Sequence, residues 1–244
     1  MDLPFPKVAR PGPLAPPRLF LFAVPEEARP FVAKLRGDGM AVASRSVGVA
    51  GRARPVWSFD GDEARVTGMG RENATRGSEK ALEIRPGMVL TCGFAGGLDP
   101  ALPGGTVVFD ADPGFPLVDQ LTAASAVAVR FHCADDVAVT VAEKAALRRS
   151  TSADAVEMES SVIRAMCRER GIPSATVRVI SDAAGEDLPL DFNALMTPGM
   201  DLHFGKLAWC LVRSPGKIPE LIRFQKRVAR AADRLAEVLS RVRG

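Results

Sequence analysis

The sequence predicts a single α/β domain built around a central sheet, and three observations predict it. Short apolar segments rich in β-branched residues, Met88–Thr91 and Ala175–Ile180 among them, read as buried strands. Stretches with apolar residues three or four apart, such as Val162, Ile163 and Met166, read as helices between those strands. A length of 244 residues with 47% apolar content suits one large domain with a substantial core.

Taken in order, residues 1–17 hold Pro4, Pro6, Pro11, Pro13, Pro16 and Pro17 and form an extended lead outside the core. The main domain spans 18–200. Leu19–Val24 is its first strand, and Pro25, Glu26 and Glu27 suit the first turn of the helix that follows. Val56–Phe59 and Glu63–Val66 form a hairpin around Asp60-Gly61-Asp62. A helix runs from Glu72 to about Ile84 and breaks at Pro86-Gly87. The strand Met88–Thr91 then leads into a glycine-rich loop. Thr106–Phe109 and Val127–His132 read as strands and Val141–Arg149 as a short helix.

The organising stretch is Ser152–Asp182. Glu157-Met158-Glu159 opens a helix for which Ser152 and Asp154 are capping candidates, and Gly171 and Pro173 stop it. The strand Ala175–Ile180 ends in Ser181-Asp182. A carboxylate just past the carboxyl end of a buried strand lies where open α/β sheets bind ligands. Residues 201–244 hold an apolar patch (Leu202, Phe204, Leu207, Trp209, Leu211, Val212) and a final helix from about Pro219 to Val242. From Arg213 to Gly244 there are nine Lys/Arg against three Asp/Glu, beside an apolar stripe at helical spacing.

Several classes are excluded or disfavoured. A net charge of +3 is too small to make nucleic acid the main partner. No apolar run reaches the roughly 18 residues of a membrane span. Cys92, Cys133, Cys167 and Cys210 are widely spaced, without a CxxC pair, and read as plain thiols of a cytoplasmic protein. His132 and His203 are isolated, and no metal site is expected.

Four ordered stretches carry a family resemblance. Val156-Glu157-Met158-Glu159-Ser160 and Val177-Arg178-Val179-Ile180-Ser181-Asp182 resemble the Val-Glu-Met-Glu and Ile-Ser-Asp motifs of the nucleoside phosphorylase/nucleosidase superfamily, in particular methylthioadenosine/S-adenosylhomocysteine nucleosidases. Thr67–Ala74 resembles the family's Gly-Ile-Gly-x-x-Asn-Ala loop, and Cys92–Pro100 its Gly-Ser-Ala-Gly-Gly-Leu loop. The resemblance covers about residues 18–195. It implies a single three-layer αβα domain with a mixed twisted central sheet, cleavage of a purine N-glycosidic bond, no cofactor, and a homo-oligomer. Phosphate would be co-substrate only in a phosphorylase. The tail resembles that of hopanoid-associated phosphorylases. Only Ala111–Ala126 stands where the nucleosidases carry a longer excursion.

The resemblance, read with the chemistry of the reaction, implies roles. Asp182 is the candidate acid for N7 of the leaving base, because partial desolvation lets a carboxyl carry a proton near neutrality. The same residue would equally serve an Asx turn or a helix cap. Glu159 is the candidate for the 2′- and 3′-hydroxyls of the ribose, with Met158 against the sugar, and Glu157 is an exposed or structural partner. Glu27 is the candidate base for water, although acidic residues also suit helix N-termini for electrostatic reasons. Gly68, Gly70 and Arg71 form a candidate nucleophile or phosphate loop, since glycine lets backbone N–H groups approach closely. Gly96, Phe94, Ser181 and Phe192 are substrate-binding candidates. Arg29 and Arg76 also lie near the right loops for phosphate. The competing readings are phosphorolysis and a non-catalytic nucleoside-binding protein. The final helix is expected to contact a membrane surface or an apolar 5′-group, or to pack its stripe on the core.

Overall fold

The computed structural model describes residues 16–49, 51–197 and 215–242. In it ten strands form one mixed sheet. They are β1 (Arg18–Phe22), β2 (Ala43–Val49), β3 (Arg52–Phe59), β4 (Asp62–Val66), β5 (Met88–Gly97), β6 (Val107–Ala111), β7 (Val127–Ala128), β8 (Phe131–Cys133), β9 (Ala155–Glu157) and β10 (Ser174–Asp182). The main order is β2-β3-β4-β1-β5-β10-β6-β7, and β9 joins β5 to β8. The centre is parallel: β1 pairs with β4 and β5, and β5 with β10. β6 runs antiparallel to β10, and the β2–β3–β4 edge is antiparallel.

Seven helices are described: α1 (Pro25–Gly37), α2 (Arg71–Leu82), α3 (Val118–Ala123), α4 (Val141–Thr151), α5 (Ser160–Glu169), α6 (Phe192–Leu195) and α7 (Ile218–Arg241). Alternation along the strands builds two cores, because successive side chains leave opposite faces of the sheet. Phe20 and Phe22 of β1 join Val177 and Val179 of β10 beneath α1 and α7. Leu19 and Leu21 face the other way, with Val89, beneath α2 and α5. The result is the αβα sandwich that the sequence implied. Phe20, Phe31 and Phe59 form an aromatic cluster on the α1 side, with ring centroids 5.1–6.1 Å apart.

The final helix follows one of the courses expected for it, packing its stripe on the core. Its stripe Ala231, Leu235, Val238, Leu239 and Val242 is buried against the sheet and α1. A surface-binding helix and a core-packed helix share one period, so the pattern alone did not separate them. Here that half of the stripe is core and is not available to a membrane. The C-terminal half of α7 thus packs on α1 and the sheet. The apolar patch at 202–212, with His203 and Cys210, lies outside the described residues; Cys92, Cys133 and Cys167 are free thiols.

A correction concerns Ser152–Ser160. Glu157 and Glu159 do not open a helix. Residues Ala155–Glu157 are β9, and α5 begins at Ser160. The Glu157 carboxylate caps that helix by accepting from the N–H groups of Glu159 (2.9 Å) and Ser160 (2.8 Å) and from Ser160 Oγ (2.7 Å). Ser152 instead ends α4 in the left-handed conformation, at φ 57°.

Candidate active site

The carboxyl ends of the parallel strands β5 and β10, with the chain just past the shorter β1, frame a cavity of about 260 Å³. Glu27 reaches it from the first turn of α1, just past β1. Phe94, Ala95 and Gly96 line it from β5, and Arg178, Ser181 and Asp182 from β10. The cavity therefore sits where parallel sheets open toward ligands. A break in register between Ile180 and Asp182 pairs Asp182 with Gly96 and turns the strand end toward the cavity.

Glu27 is buried and held by three backbone N–H groups, which leaves Oε1 room for a further donor. Its Oε2 accepts from the N–H groups of Ala23 (2.9 Å) and Val24 (3.1 Å), and its Oε1 from Phe94 N–H (2.9 Å). Burial pushes its carboxyl up to about 7. The Arg178 guanidinium pulls the other way, and the neighbouring Glu159 adds to the rise. Glu159 is also buried; its Oε1 accepts from Gly70 N–H at 2.9 Å, and Arg178 Nη2 donates to its Oε2 at 3.2 Å. Burial raises its pKa, Arg178 offsets part of that, and Glu157 reinforces it. For Glu157 burial is outweighed by Arg178 and the helix-capping bonds, which hold its carboxyl below the ordinary range. Glu157 is thus the structural partner, and it is buried rather than exposed.

Arg178 is the hub that the sequence reading missed. It is 2% exposed and bridges Glu157 (2.8 Å) and Glu159, while its Nη1 donates to the Cys92 carbonyl at 3.3 Å. The available signal was an arginine between Val177 and Val179 in an otherwise apolar strand, since a buried charge requires partners. Gly93 makes room for it. At φ 147° an added Cβ would sit 2.5 Å from Arg178 Nη1 and still closer to Glu27 Oε1.

Asp182 has a partner that no sequence feature announced. Lys144 of α4, wholly buried, places Nζ 2.5 Å from Asp182 Oδ2. Ser181 Oγ lies 2.5 Å from Asp182 Oδ1 and donates to it. The acid expected from desolvation alone is therefore an ion-paired carboxylate.

The remaining candidates divide. Met158, Phe94, Gly96, Ser181 and Phe192 line the cavity, together with Met69, Val137, Leu188, Met196, Phe224 and Val228. Phe192 lies 5.9 Å from Phe224 of α7, centroid to centroid. α6 is latched beside it, because Asn193 exchanges two 2.9 Å hydrogen bonds with the Val137 peptide. Gly68, Gly70 and Arg71 are not on the cavity wall and form no open anion cradle. Gly70 N–H is committed to Glu159, Gly68 N–H donates to the Ala23 carbonyl, and Arg71 pairs with Asp135 at the surface. Arg29 and Arg76 are likewise exposed, paired with Glu26 and Glu72. These arginines sit on outward faces of α1 and α2, a placement that loop proximity in the sequence did not encode.

Comparison with known proteins agrees with this architecture. Residues 117–200 match the family model described as Phosphorylase superfamily. The fold is similar to that of the 5′-methylthioadenosine/S-adenosylhomocysteine nucleosidase of Campylobacter jejuni, at 18% identity and TM-score 0.67, covering 93% of this chain and 98% of that one. It is similar to futalosine hydrolase of Helicobacter pylori, at 16% identity and TM-score 0.66, covering 93% and 97%. A Colwellia psychrerythraea methylthioadenosine/S-adenosylhomocysteine nucleosidase in complex with adenine shares the fold at 19% identity and TM-score 0.64, covering 93% and 94%. Residues 117–200, which carry Glu157, Met158, Glu159 and Asp182, thus match the Phosphorylase superfamily model, and the chain as a whole shares its fold with the nucleosidase structures named above.

Proposed function

We propose that this protein hydrolyses the N-glycosidic bond of a purine nucleoside, with adenine as the base and an apolar substituent at the 5′ position. The observation that carries the reading is the convergence of Glu27, Glu159 and Asp182 on one cavity. Water, deprotonated by Glu27, attacks C1′ as the bond to N9 breaks. Asp182, a carboxylate paired with Lys144 in the free protein, takes up a proton from solvent as the nucleoside binds and passes it to N7, so the base leaves neutral and the paired carboxylate is restored. Glu159 accepts from the ribose hydroxyls and favours positive charge developing at the sugar. A carboxyl held near 7 is suited to act as a base at neutral pH, and each such proton transfer contributes roughly 10²–10⁴-fold.

Hydrolysis is favoured over phosphorolysis by the charge of the wall. The one arginine among the described residues that line the cavity is Arg178, and Glu157 and Glu159 already neutralise it. An apolar 5′-group is favoured by Leu188, Phe192, Met196, Phe224 and Val228 in the cavity lining, with the Phe192 and Phe224 rings 5.9 Å apart. The test is release of free base from 5′-methylthioadenosine and from adenosine, with and without phosphate. Phosphate-independent release, faster from 5′-methylthioadenosine, is expected. A strict phosphate requirement would overturn hydrolysis, and binding without release would leave a nucleoside-binding protein.

A further inference from the structure

Lys144 itself carries out no step of the mechanism above, yet its surroundings are more specific than packing requires. It is the fourth residue of α4, and its side chain is 0% exposed. Its ammonium has three protons to donate, and three acceptors surround it: Asp182 Oδ2 at 2.5 Å, the Ala183 carbonyl at 3.0 Å and the Glu186 carbonyl at 2.7 Å. All three belong to the chain segment that leaves β10. The ammonium therefore ties the strand end, the loop after it and the Asp182 carboxylate into one arrangement.

Stability does not account for this arrangement. A buried lysine–carboxylate pair must repay the desolvation of two ions, and apolar replacements of similar volume are often neutral or stabilising. The pair sets a direction instead. With Oδ2 held by Lys144 and Oδ1 by Ser181 Oγ, the carboxylate plane is fixed beside Gly96, where an added Cβ would lie 3.4 Å from Oδ2. A group that transfers a proton must be held within a fraction of an ångström and about 10–20° of its productive geometry.

We infer that Lys144 is a positioning residue for base release, acting through Asp182: its buried ammonium fixes the carboxylate against the leaving purine. This rests on the glycosidase reading of the cavity. It concerns a residue on a different element, α4, that is not part of the cavity lining.

The experiment compares wild type, Lys144→Met, Asp182→Asn and the double variant on the nucleoside that wild type turns over best. If wild type releases no base from any nucleoside, the glycosidase reading itself fails. With an active wild type, Lys144→Met is expected to lower kcat on the order of 10²-fold with KM within about threefold. In the Asp182→Asn background the same substitution is expected to change the rate less than about threefold, because its target is already gone. Near-normal kcat in Lys144→Met overturns the inference. So does an equal fold-loss in both backgrounds, which is the signature of a general structural role. If Lys144→Met does not fold, Lys144→Gln, which keeps a donor for the two carbonyls but no charge, is read by the same criteria. Failure of both to fold makes Lys144 structural and overturns the inference as well.

Discussion

Arg178 Nη2 donates to Glu159 Oε2 at 3.2 Å, with both residues nearly sealed from solvent. The carboxylate assigned to the ribose thus shares one guanidinium with Glu157 before any ligand arrives. The same guanidinium holds Glu157, and its charge reaches Glu27. Removing it leaves a buried acidic cluster without compensation. Arg178→Met is expected to lower stability by about 3–5 kcal/mol, read by urea denaturation at pH 7. Arg178→Lys should recover little, since an ammonium cannot reproduce the fork that spans two carboxylates and a carbonyl.

Asp182→Asn keeps the shape of the side chain but removes its acid function. Turnover should fall on the order of 10²-fold or more while affinity for adenine is largely kept. Steady-state kinetics and calorimetric adenine binding check this. Near-normal turnover in a folded variant removes Asp182 from the chemistry.

For Glu159→Gln the substrate decides the size of the effect. A carboxylate that accepts from the 2′-hydroxyl matters more to a riboside than to a 2′-deoxyriboside. The loss in kcat/KM should be larger for the riboside, by about tenfold if one charge-assisted hydrogen bond is at stake. Equal losses on the two substrates would end that assignment.

The carboxyl of Glu27, held at about 7 chiefly by burial, predicts two pH effects. As base it must be ionised, so the rate should rise with pH through about 7. In stability the sign is opposite. A carboxyl whose folded value lies above its model value of 4.5 binds protons more tightly when folded, so its ionisation opposes folding as pH climbs from 4.5 to about 7. Above that window the opposition amounts to about 3 kcal/mol. The melting temperature of Glu27→Gln relative to wild type should therefore improve across that window. A difference independent of pH would show that Glu27 is not buried as an acid.

Phe224 presents the wall of the cavity that α7 contributes. Phe224→Ala should raise KM for 5′-methylthioadenosine by about tenfold, from a loss of about 1.5 kcal/mol of apolar burial, and leave adenosine nearly unchanged. Parallel changes for both nucleosides would place the 5′-group elsewhere.

The order and type of the central elements were legible in the sequence because they follow from local pattern. Buried strands such as Ala175–Ile180 and helices such as Arg71–Leu82 carry their period and their punctuation within a dozen residues. The motif stretches likewise brought Phe94, Met158, Glu159, Ser181 and Asp182 to attention, the wider family resemblance added Glu27 and Phe192, and the fold places all of them on one cavity. Gly68, Gly70 and Arg71 came with the same stretches. Their place was decided by which groups their donors meet, and those are Glu159, Ala23 and Asp135.

The sequence alone determined that this chain is an α/β protein with carboxylates at its strand ends, since periodicity and strand-end position are local properties. Tertiary structure decided the partners of those carboxylates. Lys144 lies 38 positions from Asp182, and Glu27 lies 67 from Phe94 and 151 from Arg178. Nothing within a few residues of any of them records such pairings. It also decided that the stripe of α7 packs on α1 and the sheet, because an amphipathic period states that one face will be buried and not what will bury it. Burial and charge contact, which set how each carboxyl behaves, exist only once distant segments are brought together.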